Sequence, residues 1–96
     1  MDTRELETLI AVADAQSFHG AADRLGLTQP AVTRRIQRLE ERIGKSLFDR
    51  ATKPLQPTIA GHRALTEARD LLRRLEGFSD SVLGNTKRHG PFRLGV

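Results

Sequence analysis

The sequence predicts a mainly α-helical chain: three short helices, two of them in helix-turn-helix spacing, then a pair of short strands and one long helix. Three observations predict it. The first 44 residues fall into three amphipathic segments, each opened by a capping side chain, the last two closed by glycine. Residues 45–58 hold two prolines among short apolar dipeptides, which excludes a continuous helix. Residues 59–83 place apolar side chains at alternating three- and four-residue steps, as a long helix with a seam requires.

The first helix is expected over 2–16. Asp2 caps it with Glu5 as capping-box partner, and Leu6, Leu9, Ile10 and Ala13 form a stripe at i, i+3, i+4, i+7. Ser17 opens a second helix over 18–25, ended by Gly26. Thr28 opens the third, with Pro30 in the first turn, where a missing N–H costs nothing. In that helix Val32, Ile36, Leu39 and Ile43 share one face, and Thr33, Arg34, Gln37 and Arg38 lie on the far side. Gly44 stops it. Two short strands follow around a turn at 52–54, with Pro54 and Pro57 stiffening the hairpin and guarding its edges. Thr58 caps the long helix, which Gly84 ends; NTKRHG is a polar linker and FRLGV the opening of a strand.

Composition bounds the function. Ninety-six residues with 38% hydrophobic side chains allow one small domain with an appended arm. A formal charge of +4 and a pI near 10.6 suit a polyanionic partner. The distribution is sharper: residues 1–16 carry four acids and one base, whereas residues 24–53 carry eight bases and three acids. Arg34, Arg35 and Arg38 all precede the third helix's first acid, Glu40, so its front half is uncompensated positive charge. The absence of cysteine excludes disulfides and thiolate metal sites. His19, His62 and His89 have no ligand spacing, and no carboxylate pair, nucleophile or phosphate loop suggests an enzyme, a metal or a cofactor. The acidic N-terminus is unlike a signal peptide, and no apolar run nears the ~20 residues of a membrane span, so a cytoplasmic protein is expected.

Ala22, Gly26 and Val32 carry helix-turn-helix spacing: a small residue for close approach, a glycine for the turn, a β-branched residue between the helices. Alone, that pattern also fits an ordinary αα corner. The basic outer face of the following helix favours the first reading.

With these residues in place, the chain resembles the N-terminal part of a LysR-type transcriptional regulator. The resemblance rests on Ser17 with Phe18, Ala21 with Ala22, Leu25, the run TQPAVTRRI, Arg38 to Glu40, Gly44, Leu47 with Phe48, Arg50, Thr58, and Ala60 with Gly61. It spans residues 1–61, and the long helix and FRLGV continue it. Thr28 and Thr33 stand where serine is more usual, and both keep the hydroxyl.

The resemblance implies a winged helix-turn-helix (three helices plus a two-stranded wing) over 1–58, a linker and dimerisation helix over 59–84, and over 85–96 a hinge and the first strand of an effector domain. It implies a bacterial, nucleoid-associated, sequence-specific regulator bound to duplex DNA, with residues 28–43 as recognition helix in the major groove. Base contact falls to Gln29, whose amide suits adenine, to Pro30, Ala31 and Thr33, and to Arg34, which suits either guanine or phosphate. Thr28, Arg35, Arg38 and, on the wing, Arg50 and Lys53 are expected at the sugar-phosphate backbone, and His19 near it or in solvent. Leu65, Ala68, Leu72, Leu75 and Val82, flanked by Leu71 and Phe78, form the expected dimer seam, antiparallel across a two-fold. A small-molecule effector and a tetramer belong to the missing domain of a roughly threefold longer protein. Two rivals remain: a winged-helix interaction module, and a non-specific nucleic-acid binder.

Overall fold

A computed structural model describes residues 2–83, and the order is three helices, two strands, one helix. Helix α1 is Thr3–Ala15. Asp2 caps it by accepting the Glu5 backbone N–H at 3.1 Å, and that bond holds the Asp2 carboxyl below its ordinary range. Helix α2, Phe18–Leu25, starts at Ser17, whose Oγ accepts the Gly20 N–H at 2.8 Å. It stops at Gly26, whose φ of 67° suits a residue without a side chain. The N–H groups of Gly26 and Leu27 turn back to the carbonyls of Asp23 and Ala22, at 3.4 and 3.0 Å, and so satisfy the helix end. Helix α3, Gln29–Ile43, is capped by Thr28, which accepts the Ala31 N–H at 3.3 Å, and closes on Gly44.

Helix α1 packs against α2, α3 and α4 at once. Between them lie Leu9, Val12, Ala21, Val32, Ile36 and Leu39, all buried. Ala22 is also buried, so the helix-turn-helix corner closes as its spacing predicts. One expectation is corrected. The buried face of α1 is Glu5, Thr8, Leu9 and Val12, one position round from the expected stripe, whose Leu6, Ile10 and Ala13 are only half-buried. Ile43, on the same face of α3 as Val32, Ile36 and Leu39, is 39% exposed, because it borders an open apolar groove with Leu6 and Leu71.

The wing is an antiparallel pair, β1 (Phe48–Asp49) and β2 (Gln56–Pro57), in the register Phe48 to Pro57 and Asp49 to Gln56. Helix α4, Ile59–Leu83, leaves β2 directly. Thr58 is the junction: its hydroxyl donates to the Ser46 carbonyl at 2.7 Å and accepts the Gly61 N–H at 3.0 Å. Gly61 is required by contact, since a Cβ there would run into the Leu47 carbonyl. Further along, Arg69 ties α4 to Asp14 of α1 at 2.7 Å.

The first half of α4 therefore belongs to the domain body, and this corrects the expected seam. Leu65 at 8% and Ala68 at 1% exposure are core residues of this chain and not available to a partner. Beyond Leu72, half-buried, the helix projects, with Leu75 48%, Phe78 67% and Val82 67% exposed. Projection makes the molecule long, 50 × 26 × 21 Å. The expected stop at Gly84 and the hinge and strand of 85–96 lie outside the described residues.

Candidate nucleic-acid interface

Helix α3 is held by its inner face, and its outer face is open. Gln29, Pro30, Arg34, Gln37 and Arg38 are exposed, and Ala31 and Thr33 half-exposed. A shallow depression runs along this face, lined by Gln29, Pro30, Thr33, Arg34 and Gln37. A second cleft opens beside it, between the first turns of α3 and the wing. Its walls include Gln29 and Thr33 on one side, Ser17 and His19 at the start of α2, and Thr52 and Lys53 on the wing. Gln29 and Thr33 border both hollows, so four of the expected base-contact residues, Gln29, Pro30, Thr33 and Arg34, sit on one surface.

The arginines divide by partner. No hydrogen bond or ion pair reaches Arg34, Arg38 or Lys53 among the described residues. Arg35 differs: its Nη1 donates to Thr8 Oγ1 on α1 at 3.3 Å. Arg42 faces the buried Glu5 carboxylate at 3.6 Å. Arg50 is bound to Glu40 by two hydrogen bonds of 3.3 Å, and its guanidinium carbon lies 5.2 Å from the Phe18 ring centre. So Arg35 and Arg50, both expected at the DNA backbone, already hold partners inside the protein: Arg35 uses one of its five donors on Thr8, and Arg50, though it lines the second cleft, is paired with Glu40. The Thr28 hydroxyl oxygen accepts the Ala31 N–H of the helix cap.

The wing's shape follows from its turn. Asp49 Oδ1 accepts the Ala51 N–H and the Asp49 carbonyl accepts the Thr52 hydroxyl, both at 3.0 Å, which curls the chain before Lys53. The returning strand is pinned where the Leu55 N–H donates to the Gln16 carbonyl at 3.1 Å. Gln16 presents that carbonyl from a left-handed backbone, φ 56°. The tip is thus carried toward the start of α2, and His19 faces the same cleft, 3.8 Å from Asp23.

Gln37 and Thr52 belong to this surface and were not among the expected contacts. Gln37 follows Thr33 by one helical turn and Gln29 by two, a spacing that periodicity alone contains. Thr52 falls in the turn expected at 52–54, but its place beside Gln29 and Thr33 depends on the hairpin's closure. Among the described residues no cluster of His, Asp and Glu could hold a metal ion, and no helix is long and apolar enough to cross a membrane.

A polar, basic helix face behind a compact helix-turn-helix corner, with a wing beside it, defines a winged helix-turn-helix DNA-binding module. The family profile described as the bacterial regulatory helix-turn-helix protein, lysR family, matches residues 3–62, and the chain belongs to that family. It is similar to the HTH-type transcriptional regulator BenM of Acinetobacter baylyi, 39% identical over 88 residues that cover 92% of this chain and 28% of the relative. It is also similar to the regulator YbhD of Escherichia coli K12, 41% identical over 91 residues, 95% of this chain and 27% of the relative. The chain thus spans under a third of the length of these curated relatives. Among solved structures, the BenM DNA-binding domain in complex with catB site 1 DNA superposes with a TM-score of 0.84 at 34% identity, covering 95% of this chain and 98% of that one. The CbnR DNA-binding domain in complex with DNA gives 0.81 at 38%, covering 85% and 94%.

Proposed function

We propose that this module reads duplex DNA as a dimer, with α3 in the major groove of each half-site and the wing on the flanking backbone. Gln29, Ala31, Thr33 and Arg34 face base edges, and Pro30 lets the helix end approach closely. Arg38 and Lys53 neutralise phosphates. The N–H groups opening α3 beyond the Thr28 cap favour a further phosphate. Arg35 and Arg50 leave this list. One observation carries the reading: on α3 and the wing, Arg34, Arg38 and Lys53 are exposed and unpaired, whereas Arg35, Arg42 and Arg50 each have an acid or hydroxyl partner. An interaction module would instead show an apolar, aromatic docking face there.

The exposed half of α4 supports dimerisation. An apolar groove of about 700 Å³ lies between α1, the end of α3 and α4, bordered by Leu6, Ile43, Ile59 and Leu71. In an antiparallel pair, the partner's Leu75, Phe78 and Val82 run back toward this groove and cover it. The two-fold then presents two recognition helices to a dyad-symmetric site, successive major grooves being about 34 Å apart or a multiple of that. The similarity to BenM and CbnR domains solved with DNA accords with this use. Sensing of a small molecule, and any tetramer, belong to a C-terminal domain beginning after 84 in the longer protein. The role is binding rather than catalysis, on the bacterial nucleoid in the cytoplasm.

Selection of preferred duplexes from a random pool tests this at physiological salt. An enriched dyad-symmetric motif is expected. Salt-labile binding without enrichment would leave only charge recognition.

A further inference from the structure

We propose that Arg50 is a positioning residue of the DNA interface, acting on the backbone contact of Lys53 through the wing. The inference rests on the wing contact proposed above.

Three separate elements converge on this one guanidinium. Its Nη2 and Nη1 donate to Glu40 Oε1 and Oε2, in the last turns of α3, at 3.3 Å each. Nη1 also lies 3.4 Å from the Phe48 carbonyl of β1. Its plane covers Phe18, the first residue of α2, and Phe18 in turn meets Phe48 edge to face, ring centres 6.2 Å apart. Glu40 completes the joint by accepting the Leu47 backbone N–H at 2.8 Å, just before β1. The Glu40 side chain is 15% exposed and that of Arg50 42%, so the pair is partly shielded from water.

The wing therefore leaves the body through a fixed base. Arg50 ends the outgoing strand against α2 and α3, and the Leu55 bond to Gln16 ends the returning one against the α1–α2 turn. Between these anchors stands the tip, with Thr52 and Lys53, held only by the local bonds to Asp49. A phosphate brought to Arg50 itself would also meet the Glu40 carboxylate, which repels it. Arg50 therefore works on DNA indirectly, by setting how far the wing tip stands from Gln29 and Thr33 across the cleft.

The test is a double-mutant cycle on affinity for a fixed duplex of the preferred sequence, measured from about 50 to about 200 mM salt, with melting temperatures recorded alongside. Because the proposed dimer carries two copies of the residue, Lys53→Ala is expected to flatten the log–log salt slope by about 1.8, or about 12-fold in affinity over that range. Arg50→Ala is expected to flatten it equally, and the double variant to lose no more than either alone. Arg50→Lys keeps the charge without the fork and does not rescue. Glu40→Gln, nearly isosteric and still an acceptor for Leu47, weakens binding because the joint loosens. Two outcomes overturn the proposal alone: additive losses in the double variant, or tighter binding by Glu40→Gln, which would mean a released Arg50 grips phosphate directly. If Lys53→Ala changes neither affinity nor slope, the wing contact fails and this proposal with it.

Discussion

Phe78→Ala is the sharpest probe of how α4 is used. Phe78 sits in the projecting half of the helix at 67% exposure, so a partner has most of that side chain still to bury. Taking ~200 Å² for the whole residue, about 130 Å² remains available, worth about 3 kcal/mol at ~25 cal/mol per Å². The alanine keeps part of that area, leaving a loss of about 2 kcal/mol per copy. A two-fold interface counts it twice, so the dimer should weaken by about 4 kcal/mol, or roughly a thousandfold in Kd. Sedimentation equilibrium over a range of protein concentrations measures this directly, and the monomer's melting temperature should hardly change. Leu65→Ala provides the contrast. That residue is core, so its loss should cost about 2–5 kcal/mol of stability whatever the oligomeric state. A Phe78→Ala protein that dimerises as tightly as the parent would refute the assignment of the projecting half to self-association.

Other outcomes follow from the same geometry. Gln29→Ala and Thr33→Ala are expected to relax base choice by about 1–3 kcal/mol at one position each, seen as a flattened motif on repeating the duplex selection. Lys53→Ala should weaken all duplexes alike, so an altered motif would contradict its assignment to the backbone. Gly61→Ala should lower thermal stability, because a Cβ there meets the backbone carbonyl of Leu47, which cannot swing aside as a side chain would. A melting temperature equal to the parent's would mean that the α4 junction is looser than it looks.

The caps and glycines made the helices legible, since Asp2, Ser17, Thr28, Gly26 and Gly44 act within a few residues of themselves. Partners from elsewhere in the chain were not legible. At 100° per residue, Arg35 lies only about 40° round α3 from Leu39, so its inward turn was written in the periodicity. Its acceptor, Thr8, is 27 residues away and buried only because α1 packs on three sides. Burying Thr8 and Glu5 is what rotates the α1 stripe by one position, and no local pattern of polarity announces that. The pairing of Arg50 was hidden for the same reason: an arginine beside a turn looks free until Glu40, ten residues earlier, is folded against it. The apolar period of α4 could not be divided from the sequence between core and exposed positions. A heptad gives the spacing of apolar side chains and is silent on whether the facing surface is the same chain or another.

The junction at Thr58 and Gly61, braced by the Arg69 to Asp14 bridge, welds α4 to the reading head instead of hanging it from a hinge. In the proposed pair, such a weld makes each helix a lever arm. From Ile59 to Leu83 the arm is about 36 Å long at 1.5 Å per residue. Turning one arm by 10° about its far end sweeps the attached head through about 6 Å, nearly two base-pair rises of about 3.4 Å. An angular change too small to disturb the apolar seam would therefore shift one recognition helix out of register with its half-site, so the crossing angle of the two arms is itself a gauge of operator spacing.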